Sequence, residues 1–193
     1  KHSIKLAQLV SKEFSELRGE RALLLVNLVA SNEEAADRLA YNIIATGLTL
    51  AHDKIPAAIA AYDHQEPRMV TAVLAPSTLV ARALQLSQQV SVSEAPVRYL
   101  PSASVMGLMA SVLRLRQAND GPARKLAEIL DIEFRSLWEA ARRSPATEAL
   151  TRAFAGIGRW CNVVVISGRN HDAEALAFSI YELRRRGTRV VEV

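Results

Sequence analysis

A chain of 193 residues is long enough for one domain with a sizeable core and short for two. Half of its residues are hydrophobic and 23% are charged, a globular rather than a disordered or fibrous composition, and no apolar run approaches the roughly 18–20 residues needed to span a bilayer. The net charge of +4 is uneven: residues 1–96 carry 9 Lys/Arg against 10 Asp/Glu, and residues 97–193 carry 15 against 10.

The first strong element is "ALLLVNLV" (22–29), a nearly unbroken apolar run that suits a strand buried on both faces of a parallel sheet. "EEAADRLAYNIIATGLTLAHD" follows, with Leu39, Ile43, Gly47 and Leu50 recurring at three- and four-residue steps, the pattern of an amphipathic helix. "KIPAAIAAYD" (54–63) supplies a second strand, and strand, helix and strand together predict a right-handed crossover. The short "HQEP" (64–67) then leads into "RMVTAVLAP" (68–76), which predicts a hairpin and an antiparallel edge.

Beyond Pro76 the spacing is helical. "STLVARALQLSQQV" offers Ser77 as a cap, and "SVMGLMASVLRLRQA" follows the loop "SEAPVRYLPSA". Asp120-Gly121-Pro122 opens a helix to about Arg143, and Ser144-Pro145 opens another to about Gly156, because Pro suits the first helical position after a cap. These two form an expected helical insertion at about 118–158. "CNVVVISG" (161–168) is a second doubly buried strand. "DAEALAFSIYELRRRG" predicts a helix with Asp172 as cap and Gly187 as stop, and "TRVVEV" (188–193) a last strand.

The expected architecture is therefore one α/β domain over 1–193, doubly wound, with a mostly parallel sheet, an antiparallel edge hairpin and a helical insertion. Ligands of such sheets bind at the carboxyl ends of strands where the strand order reverses, which directs attention to Asn27–Asn32 and Ser167–His171. A chain opening on Lys1 and closing on a strand-like Val193 is expected to be a fragment of a longer protein, whose other parts could tether it to a membrane. The single cysteine, Cys161, excludes an internal disulfide and a thiolate metal cage, and fits a buried, inert thiol in a reducing cytoplasm.

Three segments carry a resemblance: "HSIKLAQLVSKEFSELRGERALLLVNLVAS", "RLAYNIIATGLTLAHDKIPAAIAAYD" and "VVVISGRNHDAEALAFSIYELRRRGTRVVEV". In order and spacing they resemble a bacterial family of von Willebrand factor A-like domains of unknown function, commonly encoded beside MoxR-type AAA+ ATPases. The resemblance covers residues 2–115 and 160–193 and leaves out the helical insertion. It implies a metal-ion-dependent adhesion site, built from Asp-x-Ser-x-Ser after the first strand, a Thr from a later loop and an Asp after the fourth strand. Here the first motif falls on Asn27, Val29 and Ser31, the loop hydroxyl on Ser104 and the closing Asp on Gly168, with Asn170 close by.

Two carboxylates and one hydroxyl of that site are missing. Mg²⁺ is a small, hard ion that gives up water reluctantly and is held by oxygens, often anionic, in near-octahedral geometry. Neutral donors at Asn27, Ser31 and Ser104 do not meet that demand, so no bound metal and no other cofactor is expected. Each residue also has a local role open to it. Ser31 and Glu34 fit a capping box, Asn27 can bond loop amides, Ser104 can cap its helix, and Asn170 and His171 can sit in a turn.

The expectation is a non-enzymatic protein–protein interaction module whose partner, on the resemblance, is a MoxR-type AAA+ ATPase. One alternative is a nucleotide- or small-ligand-binding doubly wound domain, which needs glycines after the first strand; "NLVASNEE" has none, and Glu33 and Glu34 repel phosphate. "GIGRW" (156–160) precedes a strand rather than following one, and no G-x-S-x-G elbow occurs. The other alternative is polyanion binding by the basic half. Its densest run, Arg184-Arg185-Arg186, falls where cations complement a helix dipole, and no aromatics alternate with it to stack bases, which argues against nucleic acid.

Overall fold

Every residue of β1, Ala22–Asn27, is buried, and so is every residue of β3, Ala57–Tyr62, and of β6, Asn162–Ile166. Continuous burial of this kind requires a layer on each side of the sheet. The computed structural model, which describes residues 21–93, 105–118, 120–157, 161–168, 177–181 and 189–192, supplies both. Five strands run in the order β4-β3-β1-β6-β7, with β4 at Pro67–Val70 and β7 at Arg189–Glu192. β1 pairs in parallel with β3 and with β6, β6 pairs in parallel with β7, and β4 is the antiparallel edge. The chain is thus α/β, with a mostly parallel mixed sheet, as its strand patterns predict.

Strand alternation divides the core in two. Leu24, Val26, Ile59 and Val164 point to one face and pack with Leu39, Ile43 and Leu50 of α1 (Glu33–His52) and Leu79, Ala83 and Leu86 of α2 (Pro76–Ser87). Leu23, Leu25, Ala58, Val163 and Val165 point the other way. They pack with Ala146, Ala149, Leu150, Ala153 and Ile157 of α5 (Pro145–Ile157), and with Ile180 from the helical residues 177–181. Helices therefore cover both faces, compatible with a doubly wound fold.

This packing divides the helical region expected over about 118–158. α5 is a layer of the sheet itself, and only α4 (Gly121–Arg142) stands with α3 (Val105–Gln117) as a helical hairpin. Arg116 of α3 reaches Asp131 of α4 at 3.0 Å, and Arg135 meets the same carboxylate at 2.8 Å. The far end of α4 is anchored by Trp138, which packs edge-on against Phe178 with ring centroids 4.5 Å apart.

Local chemistry moves several boundaries. The apolar run expected as one strand over 22–29 breaks at Leu28. β1 ends at Asn27, and Val29–Ala30 form a short β2 paired in parallel with β5, Ser91–Val92. The strand expected over 68–76 stops at Val70. The Thr71 amide still donates to the Ile59 carbonyl at 2.9 Å, but the Thr71 hydroxyl, in place of a backbone carbonyl, accepts from the Ile59 amide at 2.9 Å, and pairing returns only as a single Ala57–Leu74 bridge. The cap of α1 is Asn32 rather than Ser31: the Asn32 side chain accepts from the Ala35 amide at 2.8 Å. Likewise Ser77 is no cap, since α2 starts one residue earlier, on Pro76 at the first turn.

α1 stops without a glycine. Lys54 takes φ 56°, its amide bonds the Ala51 carbonyl, and the Ile55 amide bonds that of Leu50. Those two bonds are a Schellman closure, sealed by the buried Leu50 and Ile55. Asp120 caps α4 through the Ala123 amide, as its sequence context predicts. The expected cap Asp172 and stop Gly187 lie outside the described residues. Among the described residues no helix is long and apolar enough to cross a membrane.

Candidate functional site

β1 is central, with β3 reached on one side and β6 on the other, so the strand order reverses between β1 and β6. Connections that leave in opposite directions open a crevice at the carboxyl ends of those two strands. Asn27, only 3% exposed, closes β1 at this point. Its Oδ1 accepts from the Val29 amide at 3.1 Å, and its Nδ2 donates to Ser167 Oγ at 3.2 Å. Ser167 in turn donates to the Gly168 carbonyl at 3.2 Å. The side-chain amide thus ties the end of β1 to the end of β6 and bends the chain from β1 into β2. Of the local roles open to Asn27, bonding a loop amide is the one it performs.

The structure brings together three of the six adhesion-site positions. Asn27, Val29 and Gly168 meet at the carboxyl ends of β1 and β6, and a Cβ placed on Gly168 would lie 3.7 Å from the Val29 carbonyl oxygen, an ordinary contact. Val29 is buried within β2, whereas Ser31 lies exposed just beyond it, next to the capping Asn32. Ser104 and Asn170 lie outside the described residues.

The residues present do not fit Mg²⁺ or Mn²⁺. Asn27 offers one neutral carbonyl, already accepting a backbone amide, and Val29 and Gly168 have no side-chain oxygen. Among the described residues no group of three or more His, Cys, Asp or Glu is placed to hold a metal ion. The electrostatics of the turn into α1 are negative: Asn32 fills the cap, and Glu33 and Glu34 stand exposed in the first turn, complementing the helix dipole.

One acidic residue at this end of the sheet was not signalled by strand or helix spacing. Asp63 follows Tyr62, which is in register with Asn27, and it is buried. Its Oδ1 accepts from the Gln65 and Glu66 amides at 2.7 and 2.9 Å, and its Oδ2 from the Arg68 guanidinium. Burial pushes its carboxyl up, but the Glu66 and Gln65 amides and Arg68 outweigh that and hold it below its ordinary value. Both oxygens are committed to closing the β3–β4 hairpin. An Asp two and three residues before the amides it bonds is the local signal that identifies such a turn.

Cys161 sits at the opposite, amino end of β6, away from the crevice. It is buried, and burial pushes its thiol up to about 11. Comparison with family models, curated proteins and solved structures finds no match to this chain.

Proposed function

We propose that this chain is a von Willebrand A-like protein-interaction module that binds its partner through the carboxyl-end face of the sheet without a metal ion. The partner is a MoxR-type AAA+ ATPase, on the strength of the segment resemblance, and the work is assembly or remodelling of a protein complex in the cytoplasm. The observation that carries the reading is the Asn27–Ser167 hydrogen bond: at the switch point, a neutral amide closes the crevice where an adhesion site would present anionic oxygens. The sheet order, with β1 flanked by parallel neighbours and an antiparallel strand beyond β3, supports the same reading. Against phosphate binding stand Glu33 and Glu34, which occupy the helix end where a phosphate would dock.

Two measurements test it. Binding of the chain to a purified MoxR-type ATPase from the same genome should be saturable and weakened roughly tenfold or more by Ser31→Arg on the exposed rim. No binding, or equal binding by the variant, overturns the partner assignment. Separately, millimolar Mg²⁺ or Mn²⁺ should leave the melting temperature of the chain unchanged. The triple variant Asn27→Asp, Val29→Ser, Gly168→Asp should gain several degrees on adding the ion, relative to itself in chelator. A comparable gain in the unsubstituted chain overturns the metal-free reading.

A further inference from the structure

α4 carries two apolar faces, and its fold uses one. Ala127, Phe134, Leu137, Trp138 and Ala141 turn inward toward the body of the molecule. Arg124, Glu128, Arg135 and Glu139 mark the polar stripe that a surface helix needs. On the remaining side Leu126, Ile129 and Ile132 are 47%, 64% and 72% exposed, at the three-residue steps of a continuous seam. Isolated exposed aliphatics are ordinary, but three on one helix face make a patch that favours a partner.

The charges beside this seam identify the occupant. Lys125 lies four residues before Ile129 and Glu133 four residues after it, one on each flank of the apolar line. A two-fold axis through Ile129, perpendicular to the helix, sends each position n residues before 129 to the level of the position n residues after it on the copy. Lys125 then comes level with Glu133 of the copy, twice, and Leu126 level with Ile132, twice. The charges brought to each level are opposite in sign, so the face is complementary to itself in charge. Some charges of the hairpin are paired within the chain, Asp131 with Arg116 and Arg135, and Glu139 with Arg142. Lys125 and Glu133 form no ion pair with any described residue of their own chain.

We propose that a second copy of this chain docks on this face, α4 against α4 in antiparallel register about Ile129. The seam involves one helix from each copy and is small, so the dimer is weak and reversible, in the class of interfaces burying less than about 1,200 Å². It leaves the carboxyl-end face of the sheet free and does not depend on what that face binds.

Sedimentation velocity of the purified chain over roughly a hundredfold concentration range, up to about 0.5 mM, should show a monomer–dimer equilibrium. Ile129→Glu, which sets two carboxylates on the axis, should abolish the dimer while leaving the circular dichroism spectrum and melting temperature of the monomer unchanged, because the site is exposed. Lys125→Glu and Glu133→Lys should each weaken association roughly tenfold, since symmetry doubles every contact. The swap Lys125→Glu with Glu133→Lys should restore it. A chain that stays monomeric throughout, a dimer that survives Ile129→Glu, or a swap as weak as its single parents would each overturn the proposal.

Discussion

Asn27 shows how one side chain decides the character of a site. Its two polar atoms each have a protein partner, Val29 N–H and Ser167 Oγ, in a position almost closed to water. Asn27→Ala leaves the buried Val29 amide without its acceptor and should cost about 2–3 kcal/mol in urea unfolding. Asn27→Asp keeps an acceptor but places a charge there, at a similar cost near neutral pH. Burial favours the protonated acid, so the folded variant binds more protons than the unfolded one, and its deficit should shrink as pH falls toward the ordinary carboxylate range. Asp63 sets the opposite slope. Its folded carboxyl lies below the ordinary 3.8, so its contribution is complete above that value and fades as the pH drops through the folded one. An Asn27→Asp variant as stable as its parent at neutral pH would mean that the crevice is wetter and better furnished for charge than its geometry indicates.

Elements are held by contacts whose tolerance is a fraction of a methyl group. Gly47 of α1 faces Ala83 of α2 so closely that an added Cβ would lie 2.7 Å from the Ala83 Cβ. Gly47→Ala raises helix propensity by about 1 kcal/mol, but the overlap has to be relieved by separating two packed helices. The net effect should be a loss of about 1–2 kcal/mol, and Ala83→Gly in the same chain should recover part of it despite its own propensity cost. Thermal or urea unfolding of the two singles and the double measures the coupling; strict additivity would show that the helices are not in contact here. The Leu39, Ile43, Gly47, Leu50 spacing makes α1 legible from sequence, as the unbroken apolar runs do β1 and β6 and Pro67 after "HQE" does the edge hairpin. What spacing does not carry is which neighbour a helix meets. α5 follows α4 with no strand between, so connectivity alone groups the two, yet its Ala146, Ala149 and Ala153 are small enough to lie flat on the sheet. The two-residue β2 and β5, the Thr71 substitution in the ladder and the shift of the cap from Ser31 to Asn32 depend on single hydrogen bonds that have no period. At the crevice, Asn27, Val29 and Gly168 were legible as one end of the sheet, but the Ser167 link was not.

At the scale of the whole molecule, the question is whether the three layers open together. Cys161 reports on this because it lies at the entry to β6, in the cluster where β1, β6 and α5 meet, beside Ile157 and Ala153. With its thiol pushed up to about 11, roughly one molecule in ten thousand carries the reactive thiolate at pH 7, and burial withholds even that fraction from reagent. Labelling by an aromatic disulfide therefore requires the helical layer of this cluster, α5 and the helical residues 177–181, to open. β1 is common to both core clusters, and α5 covers the same strands, β1 and β3, whose other residues pack on α1 and α2. Removing α5 exposes one side of the strands that hold the other side together, so the opening that bares Cys161 should be the global one. The labelling rate in rising urea should then follow the same midpoint and slope as the loss of helical circular dichroism. A rate that hardly responds to denaturant would mean that α5 lifts away while β1, β3 and β6 stay packed on α1 and α2. The helical layer over Leu23, Leu25, Val163 and Val165 would then be a separate unit of stability rather than half of a single core.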